Sequence, residues 1–406
     1  MMKLKKEITI VGGGIVGILL ALALARLSHD ILLIEQKSIL KNDNRSIVLS
    51  YSTVSVINAL GIWKYIKKHV TYIEHIHVSE KKAYSHFELN KDDENLPFLG
   101  VVIKIHCLLT TLMNQLKKLQ KIETLFGYSV KKVKQESKIC YGLTIINQSN
   151  KMIDIESKLI IAADGTNSSI KKALAIPSKS YDYEQFACVF DLELKRGHQG
   201  CAYERFIDDG SIIAMLPLIG KNASCIWVLP SQRLNFIARQ SKIKILELLQ
   251  KTFGYRLGKF YRMQHQTQFF PLALVQSKIL YQGNVLLFGN AAHCLHPVLA
   301  QGLNLSIRDV AVLYDLIAEQ PSGNLLAHNI YLKYKEIRYS DHQRTAMITH
   351  SLVNFFAKKA ILYKSLRQLG INILQHSSLA KKSLSHLMLG KLSYGSTLMQ
   401  QPVNFK

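Results

Sequence analysis

The hydrophobic positions of the chain begin with EITIV, residues 7–11, a run with the length and β-branched content of a buried parallel strand. Beyond three glycines the apolar pattern lengthens into a helix running from Gly14 to about Leu27, and ILLIE, residues 31–35, is a second strand. Strand, glycine turn, helix and strand within about 30 residues predict a βαβ unit. Ser52 or Thr53 stands where it can cap a further helix that Gly61 ends, and VVIKI, 101–105, predicts a strand leading into a helix over about 108–119. From Phe186 the period changes to two. Phe186, Cys188, Phe190, Leu192 and Leu194 share one face, and Asp191, Glu193 and Lys195 the other, which is the pattern of a sheet with one wet side. Shorter runs near 212–216 and 224–229, with one helix over about 232–251, make residues 180–275 an antiparallel layer. The chain then returns to a buried strand, NVLLFG at 284–289, and closes in long helical patterns from about 299. Nothing repeats, and no linker is rich in Pro or Ser.

Composition narrows the options without choosing among them. With 406 residues and 48% hydrophobic content, the chain can bury large cores. Its six cysteines (107, 140, 188, 201, 225, 294) form no CxxC pair, so neither a disulfide framework nor a zinc site is expected, and a reducing cytoplasm fits. The first 27 residues imitate a secretory signal, with a basic head and an apolar run, but three consecutive glycines and Glu7 argue against one. No other stretch is long and apolar enough to span a bilayer. The formal charge of +24 fits nucleic acid, an anionic membrane or a basic proteome alike. From Tyr331 to Lys406 there are 12 Lys or Arg against Glu336 and Asp341. Aromatic and basic residues do not interleave there in an RNA-binding pattern, so no nucleic-acid partner is expected.

The chemistry lies at the turns. Gly12-Gly13-Gly14-Ile15-Val16-Gly17 is a GxGxxG between strand and helix. Gly12 permits the tight turn, Gly14 lets a pyrophosphate approach bare backbone, and Gly17 allows close packing of helix on strand. Glu35, ending the second strand, is placed to accept both ribose hydroxyls of an adenosine and disfavours a 2′-phosphate. Either NAD or FAD satisfies this much. Two further turns join it: Asp164-Gly165, between a strand and a helix start, and the 286–309 stretch LLFGNAAHCLHPVLAQGLNLSIRD, which gathers Asn290, His296, Pro297, Gln301, Gly302 and Asn304 where a strand becomes a helix. His293, Cys294 and His296 share that turn, but residues so close in sequence point apart and no carboxylate joins them, so no metal is expected.

These turns, together with DNRSIVLSYSTVSVINALGIW (43–63), AYERFIDDGSIIAMLPL (202–218) and FGYRLGKF (253–260), resemble the aromatic hydroxylases, single-component FAD monooxygenases. Within that family the likeness is to the ubiquinone-pathway hydroxylases acting on 2-polyprenyl-6-methoxyphenol, and it covers roughly residues 7–395. The resemblance implies an α/β fold: a Rossmann-like FAD-binding domain (1–180, returning at 276–345), an inserted antiparallel-sheet substrate domain (181–275), and C-terminal helices (346–406). It implies that Gly12, Gly14, Gly17 and Glu35 hold the ADP half of FAD, with Arg45 near the pyrophosphate or flavin. Asp164 and Gly165 match the family's Asp-Gly motif. Gly289 and Asn290 stand where the wider family has Gly-Asp against the ribityl chain. Pro297 then presets the approach of a helix whose amino end, bared at Gly302 and Asn304, faces the flavin ring and stabilises its reduced, negatively charged state.

The implied reaction is hydroxylation of an electron-rich phenol by O2 through a flavin C4a-hydroperoxide, with NADH or NADPH as transient reductant. His296 and Tyr203 are the candidates for the base. A polyprenyl substrate scarcely dissolves in water, so a cytoplasmic protein with peripheral contact to the inner membrane, or to other enzymes of the pathway, is one reading. Two alternatives stay open: a FAD-dependent reductase of polyprenyl double bonds, and a noncatalytic flavoprotein subunit of a biosynthetic assembly.

Overall fold

The βαβ unit forms where the pattern places it. In the computed structural model, which describes residues 2–39, 43–137, 140–320, 328–358, 360–391, 394–400 and 403, strand Met2–Val11 lies parallel between Ile31–Glu35 and Met152–Ala162. Ile122–Phe126 extends this sheet beyond Ile31–Glu35, and Val285–Leu287 pairs in parallel with Ile160–Ala162 on the other side. An antiparallel hairpin, Tyr128–Gln135 with Tyr141–Asn147, joins it at Met152–Ala162. The central strands are apolar on both faces because helices cover both: Ile8, Ile10, Ile31, Leu33 and Ile160 have no exposed surface. Helix Ile15–Leu24 is likewise apolar all round, and it packs between this sheet and helix Gln301–Ala318.

The second sheet has nine strands and is wider than the period-two pattern indicates. Ser178–Leu194 is its spine, 17 residues long, with a register shift between Asp182 and Gln185 where Glu184 takes φ +51°. Gln268–Ser277 and Asn222–Pro230 flank it, and Ile212–Pro217, Cys201–Phe206, His75–Glu80 and His86–Asn90 continue outward. The last two come from residues 75–90. The sheet is antiparallel except where Cys201–Phe206 runs parallel to His75–Glu80. HIHVSE and HFELN escape the sequence reading because polar side chains interrupt their apolar alternation.

Two local differences have identifiable causes. The helix expected over 232–251 is two, Leu234–Ala238 and Lys242–Phe253, because Ser241 caps the second by accepting the Lys244 N–H at 3.2 Å. The helix expected from 299 starts at Gln301, since Leu299 and Ala300 are both left-handed, at φ +59° and +51°. Helices His328–Ala357, Ile361–His376 and Ser378–Leu389 follow, and a single turn, Thr397–Gln400, comes after them. Lys359 and Lys406 of the basic tail lie outside the described residues. No helix among the described residues is long and apolar enough to cross a membrane.

Candidate functional site

A cavity of about 630 Å³ opens where the glycine turns of the first sheet meet one face of the second. The glycines of the first turn divide by what a side chain would meet. A Cβ on Gly12, at φ +117°, would sit 2.3 Å from the Ala163 carbonyl oxygen, and one on Gly17 only 1.9 Å from that of Gly12. A Cβ on Gly14 meets nothing within 4 Å, because Gly14 faces the cavity. Behind it, helix Ile15–Leu24 has no side-chain cap and no acid in its first turn, so its free N–H groups and partial positive charge are left to whatever occupies the cavity.

Helix Gln301–Ala318 repeats this arrangement. It too lacks a side-chain cap and an acid in its first turn, and a Cβ on Gly302 would again meet nothing within 4 Å. Two bare helix ends thus face one cavity. Ser50 N–H donates to Asn304 Oδ1 at 2.9 Å, while Asn304 Nδ2 donates to the carbonyls of Val48 (3.1 Å) and Ala300 (2.7 Å). Asn304 therefore clips the second helix end to strand Ser46–Ser50.

Of the residues singled out from sequence, Gly14, Arg45, Gly165, Tyr203, Gly289, Asn290, His296, Pro297, Gly302 and Asn304 line the cavity. Gly12, Gly17, Glu35 and Asp164 are absent from its lining and support it from behind. Glu35 accepts the N–H of Gly13 at 2.7 Å and of Lys37 at 2.9 Å, which fixes the glycine turn. Asp164 Oδ2 accepts the N–H and hydroxyl of Ser169 (2.7 and 3.0 Å), whereas its Oδ1 is buried with no partner. An orphaned carboxylate oxygen is costly unless a ligand donates to it. Arg45 donates to both oxygens of Asp43 at 2.5–3.0 Å and lies 4.4 Å above the Phe270 ring. Burial alone would raise the Asp43 carboxyl; hydrogen bonds from Arg45 hold it below its ordinary value. A bare-backbone cradle and two unsatisfied helix ends fit the phosphates of a dinucleotide.

The far end of the cavity is apolar, floored by Ile76, Ile212, Leu216, Ile226 and Val228 of the second sheet. His296 is buried there, which depresses its pKa to about 3. Its Nδ1 accepts the Val298 N–H at 3.2 Å, so the proton sits on Nε2, buried and without a partner. In this tautomer the ring's unpartnered atom is a donor rather than a base. Tyr203 contributes to the wall, but its ring rests 5.4 Å from His77 and 6.0 Å from Phe253, in the core on the opposite side of the sheet from Ala202 and Phe206. Burial raises its phenol well above the ordinary value.

The neighbouring residue, Glu204, alternates onto the cavity side and was not singled out from sequence. Strand alternation, with an acid between Ala202 and Phe206 in an otherwise apolar row, was the signal available. His293 turns away from the cavity to a buried cluster. Its Nε2 lies 3.2 Å from Asp309, which also receives His342 Nε2 at 2.8 Å and Arg338 Nε at 2.5 Å. Arg338 and Arg308 both reach Asp341, at 2.7 and 3.1 Å.

The chain belongs to the family described as FAD binding domain, which it matches over residues 5–346, and so to the FAD-dependent aromatic hydroxylases. More particularly, it is similar to the uncharacterized protein slr1300 of Synechocystis, at 28% identity over 97% of both chains. It is also similar to ubiquinone hydroxylase UbiL of Rhodospirillum rubrum, at 25% identity over 96% of this chain and 90% of the relative. The fold matches that of p-nitrophenol 4-monooxygenase PnpA of Pseudomonas putida, with a TM-score of 0.75 at 12% identity over 96% of this chain and 99% of the other.

Proposed function

We propose that this chain is the monooxygenase that hydroxylates the ring of a polyprenyl phenol on the way to ubiquinone, with O2 as oxidant and NADH or NADPH as electron donor. The observation that carries this reading is the two-ended cavity: bare helix termini at one end, an apolar floor at the other. The name of the Rhodospirillum rubrum relative supports the same assignment. Gly12, Gly14, Gly17 and Glu35 would shape the seat of the ADP half, with Arg45 beside the pyrophosphate or flavin. Asp164, Gly165, Gly289 and Asn290 would meet the ribityl and flavin region, and Pro297, Gly302 and Asn304 set the helix end against the ring. FAD, when bound, supplies electron transfer and oxygen activation. The chain itself orients the phenol on the apolar floor and keeps bulk water out. His296, as a buried Nε2–H donor, is suited to hold an oxygen of ring or cofactor. Deleting the gene in its host should cause a polyprenyl phenol lacking one ring oxygen to accumulate, as read by mass spectrometry; an unchanged quinone profile contradicts the assignment.

We propose further that the substrate reaches this cavity from a membrane surface. Leu362, Leu366, Leu369 and Ile373 recur along helix Ile361–His376 at helical spacing and are 44–67% exposed, and Leu379 beyond them is 79% exposed. After Asp341 the sequence has nine Lys or Arg and no acid. Arg367 is tied to Glu80, and Lys381 and Lys391 to Asp93 and Glu94, so Lys358, Lys364 and Lys382 are the basic groups near this face that suit an anionic bilayer. The next helix, Ser378–Leu389, supplies Met388 and Leu389 to the cavity wall. Flotation with phosphatidylglycerol vesicles should capture the protein, and Leu366→Glu with Leu369→Glu should abolish capture; equal flotation of both contradicts the membrane reading.

A further inference from the structure

We infer that Glu204 is the group that takes first the hydrogen bond and then the proton of the substrate's phenol hydroxyl. The inference rests on the proposed function and assigns a catalytic residue to it.

In Cys201–Phe206 the side chains alternate, so Ala202, Glu204 and Phe206 share one face, and Ala202 and Phe206 lie in the apolar cluster beneath the cavity. Glu204 stands in register with Ala214 on one side and Val78 on the other. A carboxyl in such a row loses hydration and gains no packing, a cost that a structural role would offset with a cation. Among the described residues none pairs with it; its partner is the Leu299 N–H, at 3.4 Å from Oε1. Leu299 belongs to the left-handed turn that leads into helix Gln301–Ala318, so Glu204 faces the segment against which a flavin ring would lie. The cavity's other acid, Asp43, is spent on Arg45.

The surroundings set how this carboxyl titrates. Tyr203 and Arg205 alternate onto the other face of the strand, and His77, opposite Tyr203, goes with them. On the shared face, Glu80 of the adjacent strand is tied to Arg367 at 2.6 Å, and His296 across the cavity is held neutral by burial. The strand on the other side presents Ala214, and Met388 of helix Ser378–Leu389 carries no charge. Desolvation therefore dominates and lifts the carboxyl to about 7, with the Leu299 N–H drawing it slightly back. Such a base is matched to a phenol better than an ordinary carboxylate is.

The step is a proton transfer and needs no oxidant. The phenol O–H bond breaks, the proton bonds to a Glu204 carboxylate oxygen, and the electron pair stays on the phenolate, enriching the ring for oxygen transfer. The proton returns to the product's ring oxygen, which restores the carboxylate.

The test uses FAD-loaded wild type, Glu204→Gln and Glu204→Asp, with a 2-methoxyphenol carrying a short alkyl chain as substrate. In wild type, kcat should fall tenfold per pH unit below a single ionisation near neutrality. Glu204→Gln should keep its flavin, lose about 100-fold in kcat and lose that limb, with little change in KM. Glu204→Asp should restore part of both. Wild-type kcat and an unchanged limb in Glu204→Gln would overturn the inference. The ultraviolet titration of a bound 2-methoxyphenol carrying a nitro group decides it independently of turnover. An ionised Glu204 carboxylate disfavours a phenolate beside it, so the probe should ionise at higher pH in wild type than in Glu204→Gln, and the same ionisation in both overturns the inference. A wild-type protein that shows this difference yet never oxygenates the phenol would refute the proposed function and leave the assignment of Glu204 standing.

Discussion

At the scale of single residues, the glycines of the first turn are not interchangeable, and this separates a cofactor contact from a folding requirement. Gly14 has an ordinary φ of −76° and open space where its Cβ would be, so Gly14→Val should fold normally. Its isopropyl group would occupy the path of the pyrophosphate. FAD affinity should drop by about 100-fold or more, roughly 3 kcal/mol, in a fluorescence titration of the apoprotein; wild-type affinity would contradict the seat assigned to the phosphates. Gly17→Ala should fail earlier, as lost soluble expression, because its Cβ would collide with backbone. The steric side of this division was legible because each glycine in GxGxxG answers a backbone constraint, and backbone constraints leave a spacing in the sequence. Glu204 leaves none. In AYERF, a tyrosine, an acid and an arginine compete for the same role, and only the pairing of the strand decides which of them faces the cavity.

Among the elements, helix Gln301–Ala318 bears on both the cavity and the core. Its amino end faces the cavity; two turns from its start, Arg308 and Asp309 lock it to helix His328–Ala357 through Arg338, Asp341 and His342. Asp309 and Arg338 have no exposed surface, and cationic partners hold the Asp309 carboxyl far below its ordinary range despite burial. Removing one charge from such a cluster leaves the others uncompensated. Asp309→Asn should lower stability by about 3 kcal/mol in urea denaturation, and a loss under 1 kcal/mol would show that the cluster does not tie the two helices. The sequence announces the helix by its apolar period but hides this lock, because charged residues on a long helix read first as a solvated face. The left-handed pair at Leu299 and Ala300 was hidden as well, since neither is a residue type that favours that conformation.

For the whole molecule, burial of neutral histidines sets the response to acid. Burial lowers His77 and His342 to about 4 and His296 to about 3, all below the ordinary 6.5. Each folded-state value lies below the unfolded one, so the stability these three rings contribute is complete above pH 6.5; Glu204, lifted from 4.5 to about 7, works in the opposite sense over that interval, one group against three. The contribution of the rings falls as pH drops toward 4, because the unfolded chain takes up protons that the folded one refuses. Asp341, held at about 2 by its arginines, adds a later loss between 3.8 and 2. Urea midpoints should therefore be lower at pH 5 than at pH 8; equal midpoints would mean that these rings are hydrated. The division into a dinucleotide sheet and a second sheet could be read from the change of apolar period near residue 180. The recruitment of residues 75–90 into the second sheet could not, because long-range pairing leaves no local trace. The claim on which the account rests is oxygen transfer. The purified protein, loaded with FAD and supplied with NADH or NADPH, a short-chain 2-methoxyphenol and isotopically labelled O2, should yield a phenol carrying one labelled ring oxygen by mass spectrometry. Nicotinamide oxidation that leaves the phenol unlabelled would contradict it.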